Sequence, residues 1–219
     1  MLRAVSGRDV RNAVPYYWSR NHQESAVSQT MPKVSLAHVG LWVFDFDMMV
    51  DFYVGLFDLL ISDRGQQGER SFAFLTASPR SHHQLVIVSG RTATTPQAPG
   101  GLNQESFQLP TLGDLRAFHA RIIERPISQL ITLTHGNAWS VYFHDPELNR
   151  IEVFVDTPWH MQQPFAQQID FARTDEEIYR ATEQLCDANP SSRPINEWRR
   201  WAFDALGGSV PGSGSSETK

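Results

Sequence analysis

The chain has 219 residues, of which 41% are hydrophobic and 20% charged, and its formal net charge is −5. This balance is typical of a soluble globular protein with room for one large domain or two small ones. The acidic balance and the lack of a basic stripe argue against a nucleic-acid partner. No apolar run approaches the roughly 18 residues that cross a membrane. The single cysteine, Cys186, has no partner for an intramolecular disulfide, so we expect a protein of a reducing compartment, the cytoplasm.

The first half of the chain predicts one strand, one helix and three further strands. Residues 1–33 show no clear periodicity and are predicted to form an N-terminal extension. Alternating hydrophobicity predicts a strand over residues 34–43. Asp45 is a helix N-cap signal for a helix predicted over residues 48–57. Three strands are then predicted over residues 59–62, 71–76 and 82–88. A linker rich in Thr, Pro, Ala and Gly covers residues 91–101.

The second half repeats this order and then adds helices. A strand is predicted over residues 102–109 and a capped helix over residues 111–123. Three more strands are predicted over residues 127–133, 138–143 and 151–155. Two amphipathic helices are predicted over residues 170–185 and 196–206, the first with a capping box that begins at Thr174.

The sequence therefore contains a weak internal repeat of the form β-α-β-β-β, with about 65 residues in each unit. Superposing the two units places His38 opposite Gln104 and His83 opposite Glu152. Strand alternation directs these four polar side chains to one face, which should be the concave face of the sheet. Four symmetry-related polar residues on such a face predict a ligand site.

Glu152 is the most informative of these residues. It lies in the apolar strand of residues 151–155, after a turn that Asp145 and Pro146 initiate. A carboxylate among apolar neighbours costs free energy unless a cation or hydrogen bonds satisfy it. Two explanations follow. Glu152 binds a metal ion, which we favour, or it is a buried carboxylate paired with arginine or with backbone groups.

Two motifs resemble the vicinal oxygen chelate superfamily, which includes glyoxalase I, fosfomycin-resistance proteins and the extradiol ring-cleaving dioxygenases. The motifs are Leu36-Ala37-His38-Val39-Gly40-Leu41 with Phe52-Tyr53, and Tyr142-Phe143-x-Asp145-Pro146-x-x-Asn149-Arg150-Ile151-Glu152. The resemblance implies an α+β fold in which paired βαβββ modules form a cupped mixed sheet around a metal site. C-terminal helices follow in this chain.

The same resemblance implies the domain boundaries. Residues 1–33 are the N-terminal extension, and residues 34–160 are the vicinal oxygen chelate domain. The two modules of this domain are residues 34–90 and 102–157. A C-terminal helical extension covers residues 161–206, and a disordered tail rich in Gly and Ser covers residues 207–219.

The superfamily resemblance also implies a metal site and a reaction. The implied metal ligands are His38, His83, Gln104 and Glu152. Two imidazoles and one carboxylate suit non-haem Fe(II), with Mn, Zn, Ni or Co as alternatives. Residues 134–142 resemble the segment that carries an active-site histidine and tyrosine in small extradiol dioxygenases. By that resemblance His135 and Tyr142 are catalytic, the substrates are a small catechol-like aromatic and O2, and the protein is a homodimer.

Two departures from the extradiol pattern leave alternatives open. Gln104 stands where those enzymes carry a histidine ligand, and His83 lies on the strand where they carry an acid–base histidine. Either His83 is a ligand, or it keeps the acid–base role and Gln104 completes the metal site. Glutamine is a ligand in some glyoxalase-type relatives, so a metal-dependent isomerase or lyase is the second hypothesis. A metal-free protein that binds an aromatic ligand is the third. Arg70 and Arg91 are candidates for binding an acidic substrate group.

Overall fold

The structure, a computed structural model, describes residues 34–92 and 102–208. All of the helices and strands belong to one compact unit, Ser35–Lys219. The predicted extension, most of the linker and most of the tail lie outside the described residues. The first module contains β1 (Val39–Val43), α1 (Phe46–Phe57), β2 (Leu60–Gln67), β3 (Arg70–Thr76) and β4 (Leu85–Ser89). The second contains β5 (Glu105–Gln108), α2 (Leu112–Ile122), β6 (Ile131–Thr134), β7 (Ala138–His144) and β8 (Arg150–Asp156). After them come β9 (Trp159–His160), β10 (Gln167–Gln168), α3 (Asp175–Asp187), β11 (Arg193–Pro194) and α4 (Ile195–Ala205).

The α+β class and the repeated β-α-β-β-β order are confirmed, and local signals set the helix boundaries. The side chains of Asp45, Thr111 and Thr174 each accept a hydrogen bond from a backbone N–H in the first turn of α1, α2 and α3. Asp58 ends α1 with a φ of 54°, a left-handed conformation that aspartate tolerates. The prediction that α3 begins at residue 170 was wrong, because the capping box at Thr174 starts it later.

The strands form two main sheets. The first has the order β1-β4-β3-β2, and the second has the order β10-β6-β7-β8-β5. In each module the first and last strands run parallel, and the other neighbours run antiparallel. Strands β9 and β11 form a separate antiparallel pair. In the part of the chain that the structure describes, no helix is both long and apolar enough to cross a membrane.

The helices of both modules share one apolar layer. In the second sheet the side chains of Val141, Phe143, Ile151 and Val153 are fully buried in this layer. The ring of Phe57 in α1 stacks on Phe107 in β5 at 4.1 Å and lies 6.0 Å from Phe118 in α2. Each sheet turns one face to this layer. The opposite faces carry Trp42 in the first module and Glu152 in the second.

The strand register changes how the two modules superpose. The equivalent parallel pairs are Val39 with Leu85 and Glu105 with Ile151. With this register His38 still superposes on Gln104, whereas Glu152 superposes on Val86. The prediction that His83 is the counterpart of Glu152 was therefore wrong. The reason is that β4 begins only after His83 and Gln84, so His83 lies in the loop before the strand.

A buried glutamate connects the two modules. The carboxylate of Glu147, in the turn between β7 and β8, accepts hydrogen bonds from the backbone N–H groups of Phe44 and Asp45, both at 2.7 Å. Arg91 lies 3.4 Å from its other oxygen. Arg91 also donates to the side-chain oxygen of Asn149 at 3.1 Å. Arg91 was a candidate for binding an acidic substrate group, but the structure uses it in this contact between modules.

We expect Glu147→Gln to lower the free energy of unfolding by about 1–2 kcal/mol. The amide keeps one oxygen for the two backbone donors but loses the charge that attracts Arg91. Urea denaturation followed by tryptophan fluorescence measures the change. Glu124→Gln, at an exposed position, is the matched control. Equal stability of Glu147→Gln and the wild type would contradict a stabilising contact here.

Tyr53 of α1 makes a second buried contact between the modules. Its hydroxyl oxygen lies 2.7 Å from Glu105 Oε2 and 3.0 Å from Asp145 Oδ2. The pKa of Glu105 is raised to about 7, chiefly by burial and to a smaller extent by the nearby Asp145, although the hydrogen bond with Tyr53 opposes the shift. Burial also raises the pKa of Asp145. Two carboxyl groups therefore share one phenol in the interior between the modules.

Candidate functional site

Glu152 lies at the centre of four hydrogen-bond donors, with only 8% of its surface exposed. The hydroxyls of Ser140 and Tyr142 donate to its Oε1 at 2.8 and 2.5 Å. The hydroxyl of Ser106 and the amide of Gln104 donate to its Oε2, both at 2.7 Å. All four donors are neutral. Among the described residues, no Lys, Arg or His nitrogen forms an ion pair with this buried carboxylate.

Strand pairing brings these donors to Glu152. Ser106 is its partner across the parallel pair β5–β8, and Tyr142 is its partner across the antiparallel pair β7–β8. Paired residues project from the same face of a sheet. Tyr142 faces this side, as its alternation with the core residues predicted. Ser106 and Ser140 were not predicted to be part of the site. Strand alternation could have identified them, because Ser106 lies two residues from Gln104 and Ser140 lies two residues from Tyr142.

His135 extends the network beyond Tyr142. Its Nε2 lies 2.9 Å from the Tyr142 hydroxyl, and its Nδ1 lies 2.6 Å from the carbonyl oxygen of Phe165. A carbonyl only accepts, so Nδ1 carries a hydrogen. Tyrosine has one hydroxyl hydrogen, which Tyr142 donates to Glu152. In the tautomer that carries its hydrogen on Nδ1, His135 therefore presents Nε2 to Tyr142 as an acceptor.

Tyr142 keeps its hydrogen at neutral pH. Burial raises the pKa of Tyr142 to about 12, and the hydrogen bond to Glu152 acts in the same direction. The guanidinium carbon of Arg150 lies 4.3 Å from the centroid of the Tyr142 ring. The phenol is thus held between a carboxylate at its oxygen and a cation over its ring.

The two histidines predicted to bind metal, His38 and His83, form a separate pair. The ring centroids of His38 and His83 are 4.4 Å apart. The sequence predicted that each of them lies in a strand, but β1 and β4 begin only after His38 and His83. Burial lowers the pKa of His83, and the neighbouring rings of His38 and His82 lower it further. His82 is exposed and lies 2.8 Å from the carboxylate of Asp63.

The predicted metal ligands are thus brought together as two pairs, His38 with His83 and Gln104 with Glu152. Within residues 34–92 and 102–208, no three His, Cys, Asp or Glu side chains are grouped so that they could hold a metal ion. Glutamine is not one of those residue types, and Gln104 stands where the superfamily resemblance implies a histidine. A metal site that includes Glu152 therefore needs the amide of Gln104 or a histidine of the other pair.

A cleft of about 380 Å³ opens beside Glu152 and His135. Gln163 lines this cleft, and its amide donates to the carbonyl oxygen of His135 at 2.8 Å and to the side chain of Asn137 at 3.1 Å. Together with Phe165, it holds the segment after β9 against the site. Sequence patterns did not predict these contacts, because they join residues far apart in an irregular segment. A larger cavity of about 720 Å³ between β6 and α3 contains none of these residues.

Gly136 follows His135 and has a φ of +76°, which other residues rarely adopt. A Cβ at this position would lie 2.8 Å from the terminal methyl group of Met161. We expect Gly136→Ala to lower the free energy of unfolding by about 2 kcal/mol. The loss should be smaller in a Met161→Ala background, because the clash is removed while the backbone strain stays. Thermal unfolding measures both, and Gly65→Ala is the control because open space surrounds that glycine. A loss of equal size in both backgrounds would contradict the clash.

The family model described as "Glyoxalase/Bleomycin resistance protein/Dioxygenase superfamily" matches residues 35–153, more than half of the chain. The chain belongs to this superfamily. The matched region begins before β1 and ends within β8, one residue after Glu152.

Two relatives in the glyoxalase/dioxygenase superfamily come from Rhodococcus globerulus. Biphenyl-2,3-diol 1,2-dioxygenase 2 is 29% identical over 122 residues, which are 55% of this chain and 62% of that protein. Biphenyl-2,3-diol 1,2-dioxygenase 3 is 31% identical over 90 residues, which are 39% of this chain and 46% of that protein. The chain therefore spans less than two thirds of the length of either relative.

Solved structures of superfamily members are also similar. A glyoxylase/bleomycin resistance protein/dioxygenase domain from Frankia sp. EAN1pec has a TM-score of 0.48 and 22% identity, over 57% of this chain and 100% of that chain. The fosfomycin resistance protein FosX from Mesorhizobium loti has a TM-score of 0.42 and 19% identity, over 54% of this chain and 89% of that chain. At these identities the likeness concerns the fold alone.

Members of this superfamily use divalent metals. The donor chemistry of the present chain suits a divalent ion. Glu152 is a buried carboxylate with neutral partners, so a metal would provide a compensating positive charge. His38 and His83 offer imidazole nitrogens, which suit first-row metals. Gln104 donates its amide N–H to Glu152, which leaves its amide oxygen as a ligand atom.

Proposed function

We propose that the chain is a metal-dependent dioxygenase of the extradiol type, which cleaves a catechol-like aromatic ring with O2. The observation that carries the proposal is the hydrogen-bonded line from His135 through Tyr142 to the buried Glu152. It joins a histidine and a tyrosine, which can bind and move a proton, to a carboxylate suited to a metal. The names of the two Rhodococcus relatives support the substrate class, since both are dioxygenases of an aromatic diol.

In this proposal Glu152 and His38 hold the metal, with Gln104 as the third protein ligand. His83 would take that place only if the histidine pair moved toward Glu152, since Glu152, His38 and His83 are not grouped as a metal site in this structure. Fe(II) is the ion we expect, with Mn, Zn, Ni or Co as alternatives. A bound ion would supply Lewis-acid and template chemistry toward two neighbouring oxygens of a substrate. The serine, tyrosine and glutamine donors around Glu152 would orient its carboxylate for this role.

His135 and Tyr142 would bind the substrate and move a proton. The Phe165 carbonyl fixes the hydrogen of His135 on Nδ1, so Nε2 faces Tyr142. A substrate hydroxyl that enters the cleft would meet this pair, and His135 Nε2 would hold the proton that the hydroxyl loses. If Gln104 completes the metal site, His83 remains available as a second acid–base group beside His38.

The first sheet would provide the apolar wall for an aromatic ring. Trp42 is 45% exposed on the face opposite the helices. Phe72 and Phe74 lie half-buried on the same face, because they pair through β4 with the strand that carries Trp42. Such rings make offset-stacked or edge-to-face contacts with an aromatic ligand.

Oxygen consumption tests the proposal. The purified chain would be loaded anaerobically with Fe(II) and given 2,3-dihydroxybiphenyl or catechol. We expect Tyr142→Phe to lower kcat by about 100-fold while bound metal is kept, because only the hydroxyl proton is lost. Tyr179→Phe, on α3, is the control. Iron-loaded wild type that consumes no O2 with either diol would refute the dioxygenase.

One observation favours a second candidate, a glyoxalase- or epimerase-type isomerase or lyase. Gln104 is held 2.7 Å from Glu152, where it could be a metal ligand in place of a histidine. This enzyme would carry nickel, zinc or cobalt and would consume no O2. Absence of any metal after reconstitution would instead favour a protein that binds an aromatic ligand without catalysis. The homodimer stays a prediction.

A further inference from the structure

Arg150 is a cation on the site face that the proposed chemistry does not use. It is the first residue of β8 and is half-buried. Its side chain projects from the same face as Glu152, two residues along the strand. Its guanidinium carbon lies 4.3 Å from the centroid of the Tyr142 ring. Stacking of this kind covers the flat face of the guanidinium and leaves its N–H groups at the edge.

Arg150 has no anionic partner among the described residues. Some other arginines do have such a partner, for example Arg64 with Asp47, Arg91 with Glu147 and Arg116 with Asp175. Glu152 is the nearest carboxylate along the strand, but its oxygens are taken by four neutral donors. A half-buried cation loses hydration, and the protein supplies no anion in return.

We propose that Arg150 binds a carboxylate group on the substrate, so that the preferred substrate is an aromatic diol that also carries a carboxylate. This inference rests on the proposed function for the position of the diol. Two residues of a strand span roughly 7 Å, about the distance across a substituted benzene ring. A diol held beside Glu152 and Tyr142 would therefore place a ring carboxylate near the guanidinium, whose N–H groups match a carboxylate in two parallel hydrogen bonds.

Equilibrium binding of benzoate and benzamide to the full-length chain tests this. The two probes have the same shape and differ in charge, and neither carries a diol, so binding through Arg150 does not depend on catalysis. We expect benzoate to bind at least about tenfold more tightly than benzamide, because a hydrogen-bonded charge pair is gained. Arg150→Met should remove this preference, and Arg150→Lys should retain part of it. Thermal unfolding of both variants checks that they fold.

Arg70→Met is the matched control. Arg70 also stacks on an aromatic ring, 4.6 Å from the centroid of Trp42, without a carboxylate partner among the described residues. Its replacement removes the same charge and the same type of contact. Equal binding of the two probes to the wild type, or loss of the preference in Arg70→Met instead of Arg150→Met, would overturn the assignment.

Failure of this inference and failure of the proposed function give different results. Turnover of catechols with no preference for benzoate would refute the role of Arg150 and keep the dioxygenase. A benzoate preference that depends on Arg150, without O2 consumption on any diol, would refute the dioxygenase and keep an anion-binding site at Arg150.

Discussion

Glu152→Gln is expected to lose its bound metal and, with it, all measurable O2 consumption. Glu152 is the only carboxylate among the predicted ligands, and its replacement removes the negative charge that would attract a cation. Loss of a ligand's hydrogen-bond partner alone typically costs 10–100-fold in metal affinity, so loss of the ligand should cost more than about 100-fold. The fold should persist, because glutamine has nearly the same volume and the hydroxyls of Ser106, Ser140 and Tyr142 can reorient.

Metal content by mass spectrometry, after reconstitution with Fe(II), gives the direct measurement. Glu147→Gln is a close control, because Glu147 is also a buried carboxylate but serves the contact between modules. It should keep its metal. If Glu152→Gln binds as much metal as the wild type, the ion is held elsewhere and the proposed site fails.

The stability of the protein is expected to fall as the pH rises from about 4.5 to about 7. The pKa of Glu105 is about 7 in the folded state and near its ordinary value of about 4.3–4.5 in the unfolded chain. Between these values the folded state keeps a proton that the unfolded state has lost, so folding becomes less favourable as the proton is withdrawn. The full loss is about 3 kcal/mol.

The hydrogen bonds at Tyr53 give a structural reason for that proton. A tyrosine hydroxyl has one hydrogen, yet it lies within hydrogen-bond distance of both Glu105 and Asp145. A second hydrogen is needed, and a protonated Glu105 supplies it. Raising the pH removes this hydrogen and leaves two carboxylates facing one donor.

Urea denaturation at several pH values between 5 and 8 measures this effect. In Glu105→Gln the free energy of unfolding should fall by about 3 kcal/mol less across this range than in the wild type, because glutamine stays neutral. Glu124→Gln, an exposed glutamate, should leave the slope as it is in the wild type. The same slope in Glu105→Gln and in the wild type would show that Glu105 does not carry the proton.

Helix caps and the orientation of strand residues could be predicted from the sequence, because a few adjacent residues determine them. The caps at Asp45, Thr111 and Thr174 each depend on one side chain and the next backbone turn, so their signals are local. The orientation of Tyr142 followed from simple alternation between core and site faces. The repeated order of elements followed from the same periodicities.

Features that depend on where a strand begins could not be predicted. His38, His83 and Gln104 were assigned to strands that in fact begin after them, so alternation did not determine their direction. Residues in contact across an irregular segment were missed as well, because a carbonyl such as that of Phe165 has no distinctive residue type. The position of Arg150 over the Tyr142 ring was not predicted, because a charged residue at a strand end usually faces water.

The contacts of His135 have a consequence for anyone who shortens or recombines this protein. The predicted domain ends at residue 160, but the group that orients His135 is the carbonyl of Phe165, and Gln163 holds the same turn. A chain cut at residue 160 would keep both modules and all four predicted metal ligands, yet it would lose the acceptor for His135 Nδ1. Swapping this segment between homologues therefore offers a way to retune the chemistry without changing any residue of the paired modules.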